Sequence, residues 1–126
     1  MSQPTVAILG ASTNREKFGN ISVRAHAQQG YTVYPVNPRA EEIEGLPCYP
    51  TLAAIPVSHV DRISIYLPPA LLIPVLDEIA AISHDQLWLN PGTDSEEVLS
   101  RAAELELKPI QSCSIVDLGI SPTEVR

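Results

Sequence analysis

The chain has 126 residues, enough for one domain with a single hydrophobic core, and we expect residues 1–126 to form that domain. Its net charge of −7 argues against a nucleic-acid-binding surface, and no stretch approaches the ~18 uninterrupted apolar residues of a membrane-spanning helix. The first residues, MSQPT, lack the layout of a signal peptide, so we expect a cytoplasmic protein that binds neither nucleic acid nor membrane.

Charge and cysteine placement narrow the possibilities further. Residues 1–39 carry four basic residues against one acidic residue, a net charge of +3, whereas residues 40–126 carry a net charge of −10. The positive end of the chain therefore coincides with its first glycine turn. The two cysteines, Cys48 and Cys113, do not have metal-ligand spacing, so we expect reduced thiols and no metal site.

The first predicted elements are a strand, a helix and a second strand. The strand TVAIL, Thr5–Leu9, runs into a glycine turn, and the helix is predicted from about residue 19 to Gln29, where Gly30 ends it. Strand two, YTVYPVN, is rich in β-branched and aromatic residues. Pro35 removes one ladder donor and places the strand's end, or the edge of the sheet, nearby.

The middle of the chain is predicted to hold a loop, a short strand, a helical turn, a strand and a long helix. The turn-forming stretch PRAEEIEGLP is predicted to be a loop. The remaining segments are, in order, CYP, TLAAIP, DRISIYL and LLIPVLDEIAAI. Two prolines end the DRISIYL strand, and apolar residues at helical spacing predict one helix over residues 71–82 with Pro74 near its first turn.

The last third of the chain is predicted to hold a strand, a helix and a short strand. QLWLN is continuously apolar, as in a buried strand, and the helix that follows is predicted to begin with a capping box formed by Thr93 and Glu96. KPIQS is predicted to be a short strand. The tail from Cys113 to Arg126 carries no pattern that predicts its structure.

Strands that alternate with helices in this way favour an α/β fold with a parallel sheet covered on both faces. We expect a single doubly wound, Rossmann-like parallel sheet with strand order 3-2-1-4-5-6, in which CY forms the third strand. Ligands bind such sheets at the carboxyl ends of the strands, where the winding direction reverses. The dinucleotide fingerprint G-x-G-x-x-G is absent, because Ser12 and Arg15 stand where its second and third glycines would be.

Four strand ends carry a family resemblance. The segments VAILGAS with KFGN, GYTVYPVNP, IYLPP and LWLNPGT resemble, in this order, the coenzyme A-binding family of small Rossmann-like proteins. The N-terminal domain of the succinyl-CoA synthetase alpha subunit has the same fold. The resemblance covers roughly residues 5–118. It implies that the first turn receives phosphates, that the segment after strand two lies along the adenosine, and that the two later strand ends line the crevice toward the pantetheine arm.

The resemblance assigns a set of cofactor-binding residues at these strand ends, to which the cation of the first loop is added. They are Gly10, Ala11, Ser12, Lys17, Asn37, Pro38, Arg39, Pro68, Asn90, Pro91 and Gly92. The chemistry of these residue types agrees with that assignment, because coenzyme A brings a pyrophosphate and a ribose 3′-phosphate that need backbone donors and at least one cation.

Arg39 separates coenzyme A from NAD in this sequence. An NAD site normally carries Asp or Glu after strand two to hold the ribose 2′-hydroxyl, and here Asn37, Pro38 and Arg39 follow that strand. An arginine fork suits a terminal ribose phosphate. Because Arg39 also suits the 2′-phosphate of NADP, that cofactor remains the alternative to coenzyme A.

The other reactive side chains favour structural interpretations. His26, His59 and His84 do not sit in the phosphohistidine motif of the synthetase, and we expect His26 and His84 to be surface or hydrogen-bonded structural histidines, with His84 in a turn before a strand. We expect Cys113 to be a small buried apolar residue, in preference to a cysteine that forms a mixed disulfide with the coenzyme's thiol. Trp88 is expected in the core.

The sequence thus favours non-catalytic binding of coenzyme A or an acyl-CoA, with no catalytic residues assigned. The first alternative is an NADP-binding oxidoreductase or redox-sensing domain, although no Tyr–Lys or His–Asp pair is evident. The second alternative is an interaction subunit that completes an acyl-CoA ligase with a separate partner. A protein partner or a homo-oligomer is compatible with each of these interpretations.

Overall fold

The computed structural model describes residues 3–125. Met1, Ser2 and Arg126, which the expected single domain includes, lie outside the described residues. The strands are β1 Thr5–Leu9, β2 Thr32–Val36, β3 Glu42–Ile43, β4 Leu46–Pro47, β5 His59–Ile65 and β6 Ser83–Leu89. The α-helices are α1 Phe18–Gln28, α2 Pro69–Leu72, α3 Leu76–Ala81, α4 Glu96–Glu104 and α5 Ser114–Asp117, with 3-10 turns at Leu52–Ala54, Ile73–Val75 and Pro122–Glu124.

A four-stranded parallel sheet in the order β2-β1-β5-β6 forms the centre of the fold. Single parallel bridges extend it at both edges, from Val36 to Tyr49 and from Trp88 to Ile110. With these two bridges as the outer positions, the expected order 3-2-1-4-5-6 is confirmed. Each outer strand consists of one paired residue. Pro50 follows Tyr49 and Pro109 precedes Ile110, and because proline has no N–H to donate to the ladder, the pairing does not extend further.

The stretch predicted to be a loop after β2 contains a small antiparallel hairpin, β3–β4. Its turn residues, Glu44 and Gly45, have φ of 50° and 78°, and two positive φ values in succession are typical of a tight two-residue hairpin turn. Ile43 is 1% exposed and packs with the core on the α1 side of the sheet. Burial of one isoleucine in a turn-rich stretch therefore outweighs the loop propensity of its neighbours.

The single helix predicted over residues 71–82 is wrong. It is divided into α2, a 3-10 turn and α3, because Pro74 lies in the middle of the segment and cannot donate a helical hydrogen bond. The apolar face predicted for it is present, since Leu72, Leu76 and Ile79 are fully buried. His84 lies inside β6 and not in a turn before it, because that strand begins three residues earlier than predicted.

The predicted capping box of Thr93 and Glu96 is also wrong. Ser95 caps α4, and its hydroxyl accepts a hydrogen bond from the backbone N–H of Val98 at 3.1 Å. The hydroxyl of Thr93 donates instead to the carbonyl of Asn90 at 2.7 Å and closes the loop after β6. The loop is therefore tied to the end of its own strand before the helix begins.

The described part of the tail that the sequence left unassigned, residues 113–125, packs against the sheet through α5. Ser114 and Ile115 of α5 are fully buried, and Asp117 forms an ion pair with Arg62 of β5. The guanidinium of Arg62 also lies over the rings of Tyr31 and Trp88, at 5.5 and 5.0 Å from their centres. Trp88 is 5% exposed, which confirms its expected place in the core. No helix within residues 3–125 is long and apolar enough to cross a membrane.

Candidate functional site

An open cleft of about 970 Å³ lies at the carboxyl ends of β1, β2, β5 and β6. It is bounded by the loops that follow these four strands and by the start of α1. Ten of the eleven residues assigned from the sequence line it, namely Gly10, Ala11, Ser12, Lys17, Asn37, Pro38, Arg39, Pro68, Pro91 and Gly92. The sheet order thus brings four distant segments to one place, as expected of a doubly wound fold.

The glycine turn after β1 is required by contacts within the protein. Gly10 has φ of 85°, and a Cβ at this position would lie 2.8 Å from the carbonyl carbon of Tyr66. Gly19 is under a tighter constraint, since its Cβ would lie 2.1 Å from the carbonyl oxygen of Gly10. Sequence reasoning placed Gly19 at the helix start but missed its packing role, which the glycine at the head of a helical segment could have signalled.

The start of α1 points into the cleft without a side-chain cap. Lys17 is the N-cap residue, its side chain makes no capping hydrogen bond, and the first turn holds no acidic residue. The preceding loop is ordered by its own side chains, because Ser12 Oγ accepts from the N–H of Asn14 at 3.0 Å and Asn14 Oδ1 accepts from the N–H of Glu16 at 3.0 Å. Free N–H groups, the helix dipole and a lysine together suit an anion.

Two of the four basic residues in the first 39 are engaged by the protein itself. Arg24 donates to the carbonyl of Arg15 at 2.7 Å, and Arg15 Nε lies 3.5 Å from a carboxylate oxygen of Glu44 in the hairpin turn. Lys17 and Arg39 make no side-chain hydrogen bond or ion pair with any residue from 3 to 125, and both line the cleft. These two cations are therefore the ones available to an anionic ligand.

Asn37 holds two loops together. Its Nδ2 donates to the carbonyl of Ala11 at 2.8 Å, and its Oδ1 accepts from the backbone N–H of Arg39 at 2.8 Å. Both ends of the amide are thus bonded within the protein. The side chain links the glycine turn to the loop after β2 and fixes the backbone from which Arg39 extends.

Asn90 is the assigned residue that does not line the cleft. It is 2% exposed, and its Nδ2 donates to Ser64 Oγ and to the carbonyl of Ile65, both at 2.8 Å. Its Oδ1 accepts from the backbone N–H of Ser114 at 2.9 Å. Asn90 therefore ties the ends of β5 and β6 to the first residue of α5, behind the floor of the cleft.

A buried polar layer lies under the cleft between α1, α5 and the sheet. Ser114 Oγ is 2.7 Å from Ser64 Oγ and 3.2 Å from the hydroxyl of Tyr66, and burial raises the pKa of Tyr66. The layer keeps these hydroxyls hydrogen-bonded at the end of β5. One serine–histidine pair adjoins the layer, with Ser22 Oγ 3.2 Å from His26 Nδ1, and both residues are fully buried.

His26 of α1 is buried beside this layer, so it is not a surface histidine. Its Nδ1 lies 2.9 Å from the carbonyl of Ser22, while its Nε2 has no hydrogen-bond partner within the part of the chain that the structure describes. Burial lowers its pKa from 6.5 to about 4. The expectation of a fully satisfied structural histidine therefore holds for one ring nitrogen only.

This buried histidine predicts an acid-sensitive stability. Because the pKa is lower in the folded state, the unfolded chain takes up the proton first, and the free energy of unfolding should fall as the pH drops from 6.5 toward about 4. One such group lowers it by about 1 kcal/mol between pH 6.5 and 5.5. Denaturant unfolding at a series of pH values measures this slope, and His26→Gln should remove it. If NMR showed the imidazole of His26 itself to titrate near pH 6.5 in the folded protein, the prediction would be contradicted.

A smaller apolar pocket of about 260 Å³ adjoins the cleft. It lies between the ends of β1 and β2, the 3-10 turn at Leu52–Ala54 and the start of α2, and its walls include Leu9, Val36, Leu52, Leu67 and Val75. The two cavities share lining residues at Pro38 and Leu71. A ligand in the cleft can therefore place a flat apolar group in the smaller pocket while its anionic part remains at α1.

The sequence matches a family model described as "CoA binding domain" over residues 4–119. Among curated proteins, the acetate–CoA ligase [ADP-forming] I of Archaeoglobus fulgidus is 44% identical over 69 residues, which is 55% of this chain and 10% of that ligase. The chain thus spans about a tenth of the length of this relative.

Solved structures with the same architecture include short proteins and parts of longer ones. A conserved hypothetical protein from Pyrococcus furiosus aligns with a TM-score of 0.81 at 34% identity, covering 90% of this chain and 98% of that one. The dinucleotide-forming acetyl-coenzyme A synthetase 1 of Ca. Korarchaeum cryptofilum aligns with a TM-score of 0.72 at 26% identity, covering 86% of this chain and 25% of that chain. The fold thus occurs both nearly alone and as one part of a larger protein.

Proposed function

Because the chain belongs to the CoA binding domain family, we propose that it binds coenzyme A or an acyl-CoA in the cleft at the carboxyl ends of the strands and does not itself catalyse a reaction. The observation that carries the proposal is the pair of unengaged cations, Lys17 at the start of α1 and Arg39 after β2. Coenzyme A carries anionic groups at two separated places, the pyrophosphate and the ribose 3′-phosphate, and the cleft offers one cation for each.

The geometry of the cleft supports a role for each segment. The pyrophosphate lies at the uncapped start of α1, next to Lys17 and the backbone N–H groups of Ala11 and Ser12. The adenine occupies the apolar pocket beside Leu52 and Val75. The pantetheine arm runs past Pro68, Pro91 and Gly92, which present apolar surface and an open glycine backbone.

Asn37 and Asn90 act in this proposal as positioning residues, although the sequence resemblance grouped them with the ligand contacts. Each has its amide hydrogen-bonded to protein groups at both ends. A ligand would have to break these bonds to use either side chain, and leaving a buried donor or acceptor unpaired costs about 1–3 kcal/mol.

Preference for coenzyme A over NAD follows from Arg39. A cation that projects from the end of β2 favours a ligand with a phosphate on the adenosine ribose, and an NAD site carries a carboxylate at the corresponding place. NADP has such a phosphate too. What favours coenzyme A is membership of the family.

Ligand-dependent thermal unfolding tests the proposal. Coenzyme A at millimolar concentration should raise the melting temperature by several degrees, whereas NAD should not, because only a ligand that binds the folded chain shifts its unfolding equilibrium. NADP is the informative comparison, since it shares the adenosine and a ribose phosphate. Stabilisation by NADP without stabilisation by coenzyme A would overturn the proposal.

An interaction subunit of a ligase is the second candidate. It is favoured by the likeness to a much longer acetate–CoA ligase [ADP-forming], of which this chain matches 10%. Phe18 and Leu71, 57% and 58% exposed, lie on the rim of the cleft and offer apolar surface. Under both candidates the isolated chain binds coenzyme A, and incubation with acetate, ATP and coenzyme A yields no acetyl-CoA.

A further inference from the structure

A second group of polar side chains lies at the opposite end of the sheet from the cleft. His59 and Asp61 are alternate residues at the start of β5, so they face the same side of the sheet, and Asp85 lies near the start of β6. Asp61 and Asp85 fall between the paired positions Val60–His84 and Arg62–Gln86, which places them directly opposite each other on neighbouring strands.

One distance within this group matches the spacing of zinc ligands, and the others are no longer than 4.8 Å. One donor atom from each of His59, Asp61 and Asp85 lies within 4.8 Å of the other two. His59 Nε2 is 3.4 Å from Asp85 Oδ2. Ligands at the ~2.0–2.1 Å bond length of zinc are separated by roughly 3.3 Å along the edge of a tetrahedron, so these two atoms already stand at the required spacing.

Residues outside the group fix its donors in the orientation that a metal needs. Ser83 Oγ lies 2.7 Å from His59 Nδ1, so a proton on Nδ1 leaves the lone pair of Nε2 directed toward the carboxylates. Thr5 donates its backbone N–H and its hydroxyl to Asp61 Oδ2, at 2.7 and 3.1 Å.

His59 can neutralise at most one of the two carboxylate charges, so the group carries a net negative charge in the protein alone. Two carboxylates on neighbouring strands repel each other and destabilise a sheet when they stand directly opposite. Within residues 3–125, neither Asp61 nor Asp85 forms an ion pair with a lysine or arginine, and His59 forms one with Asp85 only when it is protonated. A divalent cation between them turns this repulsion into attraction.

We propose that His59, Asp61 and Asp85 form a binding site for a divalent transition-metal ion such as Zn²⁺. One imidazole nitrogen and two carboxylate oxygens are a ligand set that zinc accepts, whereas Mg²⁺ and Ca²⁺ prefer oxygen ligands alone. Three protein ligands leave the fourth position to water. The bound ion joins the starts of β5 and β6 and, through Asp61, the start of β1, so it reinforces the sheet at the end away from the cleft.

Zinc titration by calorimetry tests this site on chelator-treated protein. The wild-type chain should bind one equivalent of Zn²⁺, and His59→Ala and Asp85→Asn should each weaken that binding about ten-fold or more. Both side chains are substantially exposed, at 43% and 63%, so neither substitution removes core packing. The matched control is His84→Ala, one residue from Asp85 on the same strand, whose Nδ1 is bonded to the carbonyl of Ile82.

The outcomes separate this site from other zinc ligands in the chain. Binding by His84→Ala equal to that of the wild type, together with the loss in His59→Ala, supports the proposal. No saturable binding by the wild type at millimolar zinc overturns it. Equal binding by wild type and His59→Ala also overturns it and assigns the ion elsewhere, with the thiols of Cys48 and Cys113 as the remaining soft ligands.

Discussion

Gly19→Ala should lower the free energy of unfolding by about 3 kcal/mol, the upper end of the usual cost of overpacking. The added methyl carbon would lie 2.1 Å from the carbonyl oxygen of Gly10 and 3.3 Å from the Cα of Ala11. Both are backbone atoms, so no side-chain rotation relieves the clash, and α1 must move away from the end of β1. Helix propensity alone predicts the opposite sign, a gain of up to about 1 kcal/mol for alanine over glycine.

Gly30→Ala provides the matched control at the other end of the same helix. Gly30 has φ of 87°, but no atom lies within 4 Å of the position that a Cβ would take. Only the cost of the left-handed backbone remains, about 1 kcal/mol. Thermal and denaturant unfolding of both variants measures the difference. If Gly19→Ala is as stable as the wild type, the close approach of α1 to the first turn does not exist in solution.

The glycine turn shows how a sequence pattern can be located correctly and explained incompletely. From the sequence, Gly10 was interpreted as a place where backbone approaches phosphate. In the structure, a side chain at Gly10 would first meet the backbone of Tyr66 at the end of β5, so a bulky substitution there disturbs the sheet whether or not a ligand is bound. Local sequence cannot reveal this contact, because its two partners are 56 residues apart.

The inner part of the fold was predictable because its signals are local. Continuous apolar runs identified β1, β5 and β6, and the strand order followed from the alternation of strands with helices. The errors have two different causes. Pro74 lacks a helical donor and divides a helix that apolar spacing alone predicts, whereas burial of Ile43 turns a predicted loop into a hairpin. The order of the weak outer positions was right although each is a single bridge.

The cleft could be located from the sequence, but the roles of individual side chains in it could not be assigned. Arg39 and Lys17 remain unengaged within the described chain, whereas Arg15 and Arg24 are used internally. Nothing in the local sequence separates these two pairs, since Arg15 is engaged by Glu44, 29 residues later in the hairpin. The same limit hid the group of His59, Asp61 and Asp85, because only the pairing of β5 with β6 brings Asp85 to the other two.

Arg39→Ala should weaken the binding of coenzyme A about ten-fold to a hundred-fold. One hydrogen bond to a charged group contributes roughly 1.5–3 kcal/mol, and no other described residue competes for this guanidinium. Asn37 fixes the backbone at Arg39 but does not contact its charged end, so the substitution leaves the loop intact. Calorimetric titration with coenzyme A measures the loss. Arg15→Ala is the control, because Arg15 is already paired with Glu44 and should matter much less.

Dephospho-coenzyme A identifies which phosphate Arg39 contacts. This ligand lacks the 3′-phosphate, so it should bind the wild type more weakly than coenzyme A and should be nearly indifferent to Arg39→Ala. The two changes are then non-additive, as expected when they remove the two partners of one interaction. Equal losses for both ligands would instead assign Arg39 to the pyrophosphate. No loss for either ligand would leave Lys17 as the cation that serves the cleft and would remove the physical reason for preferring coenzyme A to NAD.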